Sequence, residues 1–324
     1  MPDPDPSVVL AEVVRSGFVE GRHLGSYVVV DAEGAVLRSG GDVRSPLFPR
    51  SSNKLMQATG LVELGYPGRD DLLALAAASH SGEGFHVEGV RRILGAAGLD
   101  EAALRTPPEW PIGEQAWLDA ARAGAVPESI TMNCSGKHAA MLSTCVVQGW
   151  SLDDYLDPAH PLQEHLVGTL ERMAGEPVAA RGVDGCGAPV LAVSLTALAR
   201  AFSRAVLSDP GDPQRLVADA MRAFPAYVGG TGRDVTVLMD GVPGLLLKDG
   251  AEGVLAGALA DGRAFALKVD DGGERPRPLV AVALLRAMGV EGGPLDRYDV
   301  LPLLGGGVRV GEVRVPADLA ASIA

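Results

Sequence analysis

An excess of positive charge, a long apolar segment and an export signal are all missing from this 324-residue sequence. Lys and Arg total 28 against 41 Asp and Glu, and the net charge of −13 disfavours binding to a nucleic-acid backbone. No apolar run approaches the roughly 20 residues that a membrane span needs. Residues 1–6 alternate Pro and Asp instead of forming a basic and then an apolar segment, so we expect no signal peptide and a cytoplasmic protein.

Cysteine is also scarce, with three residues in the whole chain. An odd number without an export signal argues against a disulfide framework. Cys145 lies in an apolar helical segment and is interpreted as a small buried side chain. Cys134 and Cys186 lie among glycines and polar residues, and this setting requires a different explanation.

The periodicity of the sequence changes twice along the chain. Residues 25–40 alternate around a Glu33-Gly34 turn and predict a hairpin, and short β-rich runs return at 235–239, 244–248, 253–259, 263–269 and in the glycine-rich tail. Between them the pattern is helical, with 181–189 as a glycine-broken loop. We predict a single catalytic unit of the α+β class. A mostly antiparallel sheet comes from both chain ends (about 1–50 and 230–324), with an inserted helical lobe (about 51–229).

One stretch, MNCSGKHAAML at 132–142, concentrates polar groups at the start of an apolar helix. Ser135 is predicted to cap this helix, and the free backbone N–H groups there suit an anion. Its other polar residues are Asn133, Cys134, Lys137 and His138.

A Ser-x-x-Lys pair, Ser51 and Lys54, lies at another predicted helix start. A lysine one turn along can remove a serine proton when its pKa is depressed by burial or by a second cation. Lys248, in a Lys-Asp-Gly strand end, resembles the lysine that lines the opposite wall of the pocket in SxxK enzymes. The simpler interpretations are a chance motif and a solvated strand-end charge.

Cys134-x-x-Lys137 and Asp184-x-Cys186 form the third group of polar residues. Two thiolates and a third ligand suit zinc, although a lysine ligand is unusual because it must first lose its proton. The alternative is a pair of thiols in glycine-rich turns. Asp184 is a candidate for binding an α-ammonium group, and Arg50 for binding an α-carboxylate.

Taken together, the motifs resemble the asparaginase II family, the thermolabile rhizobial type, over roughly residues 10–290. The matching segments follow the order and spacing of that family: RSGFVEGRH, FPRSSNKLMQA, AASHSGE, MNCSGKHAAML, GVDGCGAPV, MRAFPAYVGGTGR, LLLKDGAEGV and LKVDDGGERP. The resemblance implies a fold similar to serine β-lactamases and SxxK glutaminases. It also implies hydrolysis of L-asparagine to L-aspartate and ammonia.

The resemblance also implies roles for individual residues. Ser51 with Lys54 matches one Ser-Lys pair, and Ser79 with Lys248 matches the second. Cys134, Lys137 and Cys186 match the zinc ligands of the family, and Asp184 matches the aspartate beside them. The positions that line the pocket are matched by Arg50, Asn133 and His138. We expect Ser51 to attack the amide with Lys54 as base, Ser79 and Lys248 to relay protons, and zinc to orient the substrate. The family tendency further predicts a homodimer.

Two other classes of function are compatible with parts of the sequence. Another SxxK serine hydrolase, such as a glutaminase or a β-lactam-interacting enzyme, would share the Ser-Lys pairs, and a glutaminase would lack the Cys134, Lys137 and Cys186 set. A non-enzymatic zinc-binding protein would require both Ser-Lys pairs to be coincidental. Ser52 and Asn53, which follow Ser51, depart from the family pattern and place a second hydroxyl beside it.

Overall fold

A computed structural model describes residues 6–323 and shows one large sheet with strands from both ends of the chain. Neighbouring strands run antiparallel in the order β10-β11-β1-β2-β9-β8-β7, and β3 pairs with β2. A small second sheet has the order β4-β6-β5. The strands are β1 Val8–Arg15, β2 Phe18–Val30, β3 Val36–Gly40, β4 Pro46–Leu47, β5 Ala180–Val183, β6 Pro189–Ser194, β7 Leu246–Gly250, β8 Val254–Ala258, β9 Ala264–Val269, β10 Val300–Gly305 and β11 Val308–Arg314.

The two ends of the chain meet in the middle of the large sheet. Strand β2 pairs with β9 from Gly25 opposite Val269 to Val30 opposite Ala264, and β1 pairs with β11. This pairing confirms the predicted α+β fold, with a mostly antiparallel sheet built from both ends and helices between them.

Helices cover the sheet and fill the middle of the chain. Tyr27 to Val30 in β2 are consecutive and at most 3% exposed, so both faces of the sheet are covered there. Helix α7 packs on β2, β8 and β9, and α11 packs on β1, β8 and β9. The helices are α1 Lys54–Glu63, α2 Asp70–Ala76, α3 Gly84–Ala96, α4 Glu114–Arg122, α5 Ser135–Gln148, α6 Pro161–Ala174, α7 Leu195–Leu207, α8 Pro213–Ala223, α9 Pro225–Val228, α10 Asp234–Gly241, α11 Arg277–Ala287 and α12 Ala317–Ile323.

Two local predictions differ from the structure, and one helix was not predicted. Residues 235–239, predicted as β-rich, lie in helix α10, because a short apolar run does not by itself distinguish a strand from a buried helix. Residues 181–189, predicted as a loop, include most of strand β5, the turn after it and the first residue of β6. The two strands form a hairpin in which β5 pairs with the buried strand β6. Helix α7 follows β6 and was not predicted from the sequence. Within residues 6–323 no helix is long and apolar enough to span a membrane.

Candidate active site

Most of the predicted site residues converge on one cavity of about 200 Å³ between the sheet edge and the helices. The remaining four, Lys54, Lys137, His138 and Lys248, are each at most 1% exposed. The predicted residues that line the cavity are Arg50, Ser51, Ser79, Asn133, Cys134, Asp184 and Cys186.

Ser51 lies in a tight 3-10 turn, Arg50–Asn53, immediately before helix α1. Arg50 has φ +52°, a left-handed conformation that costs a non-glycine residue on the order of 1 kcal/mol. Its side chain is held by Asp184, with Nε and Nη2 each 2.8 Å from Oδ1. Arg50 and Asp184, predicted separately as ligands for the two ends of an amino acid, therefore form an ion pair in the wall of the cavity.

Lys54 contacts Ser79 instead of its motif partner Ser51. Its Nζ donates to Ala78 O at 2.5 Å, Ser79 Oγ at 3.0 Å and Cys134 Sγ at 3.1 Å. These three acceptors use all three ammonium protons. Within residues 6–323 the Ser51 hydroxyl makes no hydrogen bond, so the expected direct contact between Lys54 and Ser51 is not formed in this state.

Lys248 reaches Ser79 from the opposite side, at the end of strand β7. Its Nζ donates to Ser79 Oγ at 3.0 Å and to Asp249 Oδ1 at 2.5 Å. Burial, with smaller contributions from the charges of Lys54 and Arg233, lowers the pKa of Lys248 to about 8, although the Asp249 carboxylate opposes the shift. The Ser79 hydroxyl thus joins two buried amines, one of which titrates near neutral pH.

Ser52 and Gly250 fix the turn of Ser51 against strand β7. Ser52 Oγ donates to Lys248 O at 3.0 Å, so this second hydroxyl binds the strand and does not enter the cavity. A Cβ on Gly250 would lie 2.5 Å from Pro49 O and 3.1 Å from Ser52 Oγ. In the described part of the chain the backbone N–H groups of Ser51 and Ala251 make no hydrogen bond, and both residues line the cavity.

Because Gly250 has no room for a methyl group, Gly250→Ala is expected to separate the Ser51 turn from β7. We expect kcat/KM to fall by about 10- to 100-fold, since small displacements of catalytic groups have effects of that size. Steady-state kinetics with L-asparagine, the substrate that the motif resemblance implies, would measure this change. Gly95→Ala in helix α3, where an added Cβ meets no atom within 4 Å, is the matched control and should leave activity unchanged. Equal kinetics for both variants would contradict the role of Gly250.

The start of helix α5 differs from the prediction for Ser135. Cys134 occupies the cap position, without a side-chain capping bond, and Ser135 is the first helical residue. Ser135 Oγ donates to Ile130 O at 2.7 Å and is paired with His80 Nε2 at 2.9 Å. The Ser135 side chain is satisfied by these two partners instead of the helix end, so it orders the loop before α5.

The two thiols and Lys137 form a buried cluster beside the cavity. Lys137 Nζ donates to Cys186 Sγ at 3.1 Å, and Cys134 Sγ donates to Asn133 Oδ1 at 3.0 Å. The neighbouring Cys134 thiol and the charge of Lys137 hold the pKa of Cys186 well below its ordinary value. Burial opposes the charged form of Lys137, but the two cysteines outweigh it and raise the pKa of that amine.

His138 lies next to this cluster and is completely buried. Its Nδ1 is 2.7 Å from the Tyr155 hydroxyl, and burial lowers the pKa of the imidazole to about 4. Within residues 6–323 its Nε2 has no hydrogen-bond partner. A buried nitrogen of this kind is a group that a ligand at the cluster would satisfy.

Two residues of the site, Asp249 and Arg233, were not predicted from the sequence. Arg233 Nη1 donates to Ser79 O at 3.1 Å, and Nη2 donates to Asp249 Oδ2 at 2.5 Å. Asp249 is contacted by Lys248, Arg233 and Arg277, and although burial opposes ionisation, these cations hold the pKa of its carboxyl well below the usual range. Both residues belong to segments that match the asparaginase II motifs, Arg233 to GGTGR and Asp249 to KDG, and this membership could have identified them.

Comparison with known proteins agrees with the motifs. The profile of the family L-asparaginase II matches residues 11–315. Among solved structures, a β-lactamase from Mycobacterium bovis aligns with 82% of this chain and 95% of its own, at 13% identity and TM-score 0.46. Mglu, in its native form in 4.3 M NaCl, aligns with 87% of this chain and 66% of its own, at 13% identity and TM-score 0.45. Among curated proteins none matches this chain.

The family match, which spans nearly the whole chain, defines the class of protein as an amidohydrolase. The chain belongs to the L-asparaginase II family, and the family resemblance read from its motifs is confirmed.

Proposed function

We propose that this amidohydrolase is an L-asparaginase that forms an acyl-enzyme on Ser51. The observation that carries the proposal is a pair of hydrogen bonds that link two lysines through one serine. Ser79 Oγ lies 3.0 Å from Lys54 Nζ and 3.0 Å from Lys248 Nζ. These bonds lie beside a cavity that Ser51 and Ser79 both line. Two serines and two buried amines around one small cavity are a set suited to acyl transfer.

These linked hydrogen bonds explain how Lys54 acts as a base although its three protons all take part in hydrogen bonds. When Lys248 is neutral, Ser79 passes its hydroxyl proton to Lys248 and receives one from Lys54. Lys54 then has a free electron pair, releases one acceptor and takes the proton of Ser51 as Ser51 attacks the side-chain amide carbon. Hydrogen bonds of this kind commonly tighten or rearrange when substrate binds.

The remaining steps use the same groups in reverse. The unbonded backbone N–H groups of Ser51 and Ala251 are the candidates for stabilising the oxyanion of the tetrahedral intermediate. Ser79, resupplied by Lys248, protonates the amide nitrogen, and ammonia leaves as the C–N bond breaks. A water molecule then attacks the ester and gives its proton through Ser79 to Lys248. The ester C–O bond breaks, Lys54 returns a proton to Ser51 Oγ, and L-aspartate is released.

Arg50 and Asp184 are the groups proposed to bind the two charged ends of the amino acid. They lie together in the wall of the cavity, and the side chain of Arg50 remains 26% exposed. The guanidinium suits the α-carboxylate and the carboxylate suits the α-ammonium group. Asn133 also lines the cavity and supplies an amide for positioning, while His138 supports the cluster behind it.

Zinc remains a proposal that depends on Lys137. Within residues 6–323 no group of three His, Cys, Asp or Glu side chains is placed to hold a metal, so Cys134 and Cys186 need the lysine as third ligand. The two sulfur donors and one nitrogen suit zinc once the amine has lost its proton, and the unpartnered His138 Nε2 lies beside them. When bound, zinc would supply a fixed positive charge that orients the ends of the substrate.

Removal of zinc is expected to weaken substrate binding more than chemistry. We expect chelation to raise KM by about tenfold and to change kcat by less than about threefold, because binding lost equally from ground and transition state appears in KM. Metal analysis should show zinc in the untreated protein and its loss in Cys134→Ser and Cys186→Ser. Cys145→Ser, a buried cysteine outside the cluster, should retain it. A metal-free protein with unchanged KM would contradict the proposal.

The substrate is tested by ammonia release from L-asparagine and from L-glutamine, with and without chelation. Rapid turnover of asparagine with little turnover of glutamine is expected. A pocket discriminates one methylene by only about 1–3 kcal/mol, so a preference for glutamine would reassign the substrate within the same chemistry. Absence of both activities in folded, zinc-supplied protein would overturn the proposal. The homodimer stays a prediction that light scattering would check.

A further inference from the structure

A second and larger cavity adjoins the active-site cavity. It has a volume of about 650 Å³, which lies within the range of small-molecule sites, whereas the first cavity measures about 200 Å³. The two share the residues Ile112, Asn133, Arg233 and Glu274 as a common wall. An amino acid amide would use only the first cavity, so the second has no role in the proposed hydrolysis of L-asparagine.

The second cavity opens on the leaving-group side of the site. Arg50 and Asp184 line the first cavity and not the second. The shared Arg233 donates to Ser79 O at 3.1 Å, and Ser81, two residues further along, lines the second cavity. Ser79 is the residue proposed to protonate the amide nitrogen. A substituent on that nitrogen would therefore extend into the second cavity.

The wall of this cavity contains a buried cation with incomplete partners. Arg277 is 3% exposed, and its Nη1 donates to Gly250 O at 3.0 Å. The acidic groups around it lie at 3.5 Å (Glu274), 3.8 Å (Asp234) and 3.9 Å (Asp249), beyond good hydrogen-bond length. Within residues 6–323 its Nε has no partner although the atom is buried.

Arginines on the wall of this cavity are candidates for binding one anionic group. Arg275 is exposed on the same wall, and its Nη2 is 3.2 Å from His23 Nε2. Within residues 6–323 neither Arg275 nor Arg277 has a carboxylate closer than 3.5 Å, whereas Arg233 is bonded to Asp249. The acidic side chains Glu114, Asp234 and Glu274 also line the cavity and disfavour a second negative charge. A single carboxylate would give Arg277 a charged partner at hydrogen-bond distance.

We propose that the second cavity is a leaving-group subsite and that the enzyme also hydrolyses β-aspartyl peptides, in which the asparagine nitrogen carries a carboxylate-bearing residue. The inference rests on the proposed function. The chemistry balances as for asparagine: the Ser51 Oγ–C bond forms, the C–N bond breaks, and Ser79 protonates the leaving nitrogen. Breaking the C–N bond releases a free amino acid in place of ammonia, and water then hydrolyses the ester to give L-aspartate.

The test compares three substrates on the purified full-length enzyme: L-asparagine, L-β-aspartyl-glycine and L-β-aspartyl-glycinamide. The two dipeptides differ only in the carboxylate. We expect both to be cleaved, with kcat/KM about tenfold or more higher for the free carboxylate, because a charged hydrogen bond has an effect of that size. Turnover of asparagine without cleavage of either dipeptide would overturn the subsite and leave the asparaginase proposal intact. No turnover of any substrate would overturn both.

Variants then locate the carboxylate. Arg277→Met should reduce the preference for β-aspartyl-glycine over its amide to less than about threefold. Arg286→Met, on the same helix and outside the cavity, should leave the preference unchanged. Since Arg277 is buried, the exposed Arg275→Met is made in parallel and folding is checked by circular dichroism. A full preference retained in Arg275→Met and in folded Arg277→Met would contradict the subsite.

Discussion

Replacement of Ser51 by alanine is expected to lower kcat for L-asparagine by about 10⁴-fold or more, the size of loss seen when a catalytic nucleophile is removed. Binding should persist, because Arg50 and Asp184 still line the cavity. Rapid quenching of the wild-type enzyme during turnover, followed by digestion and mass spectrometry, should show an aspartyl ester on the peptide that contains Ser51.

Ser52→Ala is the matched control for this experiment, since Ser52 is adjacent and binds Lys248 O without entering the cavity. Its loss of activity should be at least 100-fold smaller than that of Ser51→Ala. An aspartyl ester on the peptide that contains Ser79 would overturn the assignment. Ser79 would then be the nucleophile, with its two lysines as direct partners.

Lys248→Met is expected to lower kcat/KM by about 10³-fold, within the range for loss of a general acid-base group. In the wild type, kcat/KM should fall about tenfold for each pH unit below about 8, because only the neutral amine accepts the proton of Ser79 and burial lowers the pKa of Lys248 to about 8. The pH profile of the variant should lack this acidic limb. A limb retained in Lys248→Met would assign the titration to another group.

The direction of this shift can be tested through the neighbours of Lys248. The groups that act on it are Asp249, which favours its charged form, and Lys54 and Arg233, which disfavour it. Asp249→Asn should therefore lower the pKa of Lys248 further and move the acidic limb to lower pH. The same change leaves Arg233 and Arg277 without their shared carboxylate, so a loss of stability of about 3–5 kcal/mol is also expected. Folding must be measured beside the kinetics.

The large sheet could be predicted because its strands carry local signals. The hairpin of β2 and β3 has a Glu33-Gly34 turn between alternating runs, and β7, β8 and β9 are separated by short polar turns. Such signals need only neighbouring residues. Helix α10 was missed for the opposite reason, since its apolar run is short and its conformation depends on packing against α9 and β7.

The residues of the candidate site could be grouped from the sequence, but the contacts among them could not. Ser51 and Lys54 are three residues apart in sequence, which favoured a direct pair, yet Lys54 bonds Ser79, 25 residues away. The preference arises because Ala78 O, Ser79 Oγ and Cys134 Sγ together satisfy a buried ammonium group. Arg233 and Asp249 were missed because they act through ion pairs, and these ion pairs form only when distant segments of the chain meet.

The pairing of chain ends in the sheet also has consequences for how the protein is made. Strand β2 gains its partner β9 only after about 240 further residues, and Ser79 meets Lys248 across 169. Contacts at such separations form slowly, and a chain emerging from the ribosome exposes the apolar edge of β2 until β9 is synthesised. Under the proposed mechanism the site is complete only after residue 250 has been synthesised, and chains that terminate before it are expected to be inactive and prone to aggregation.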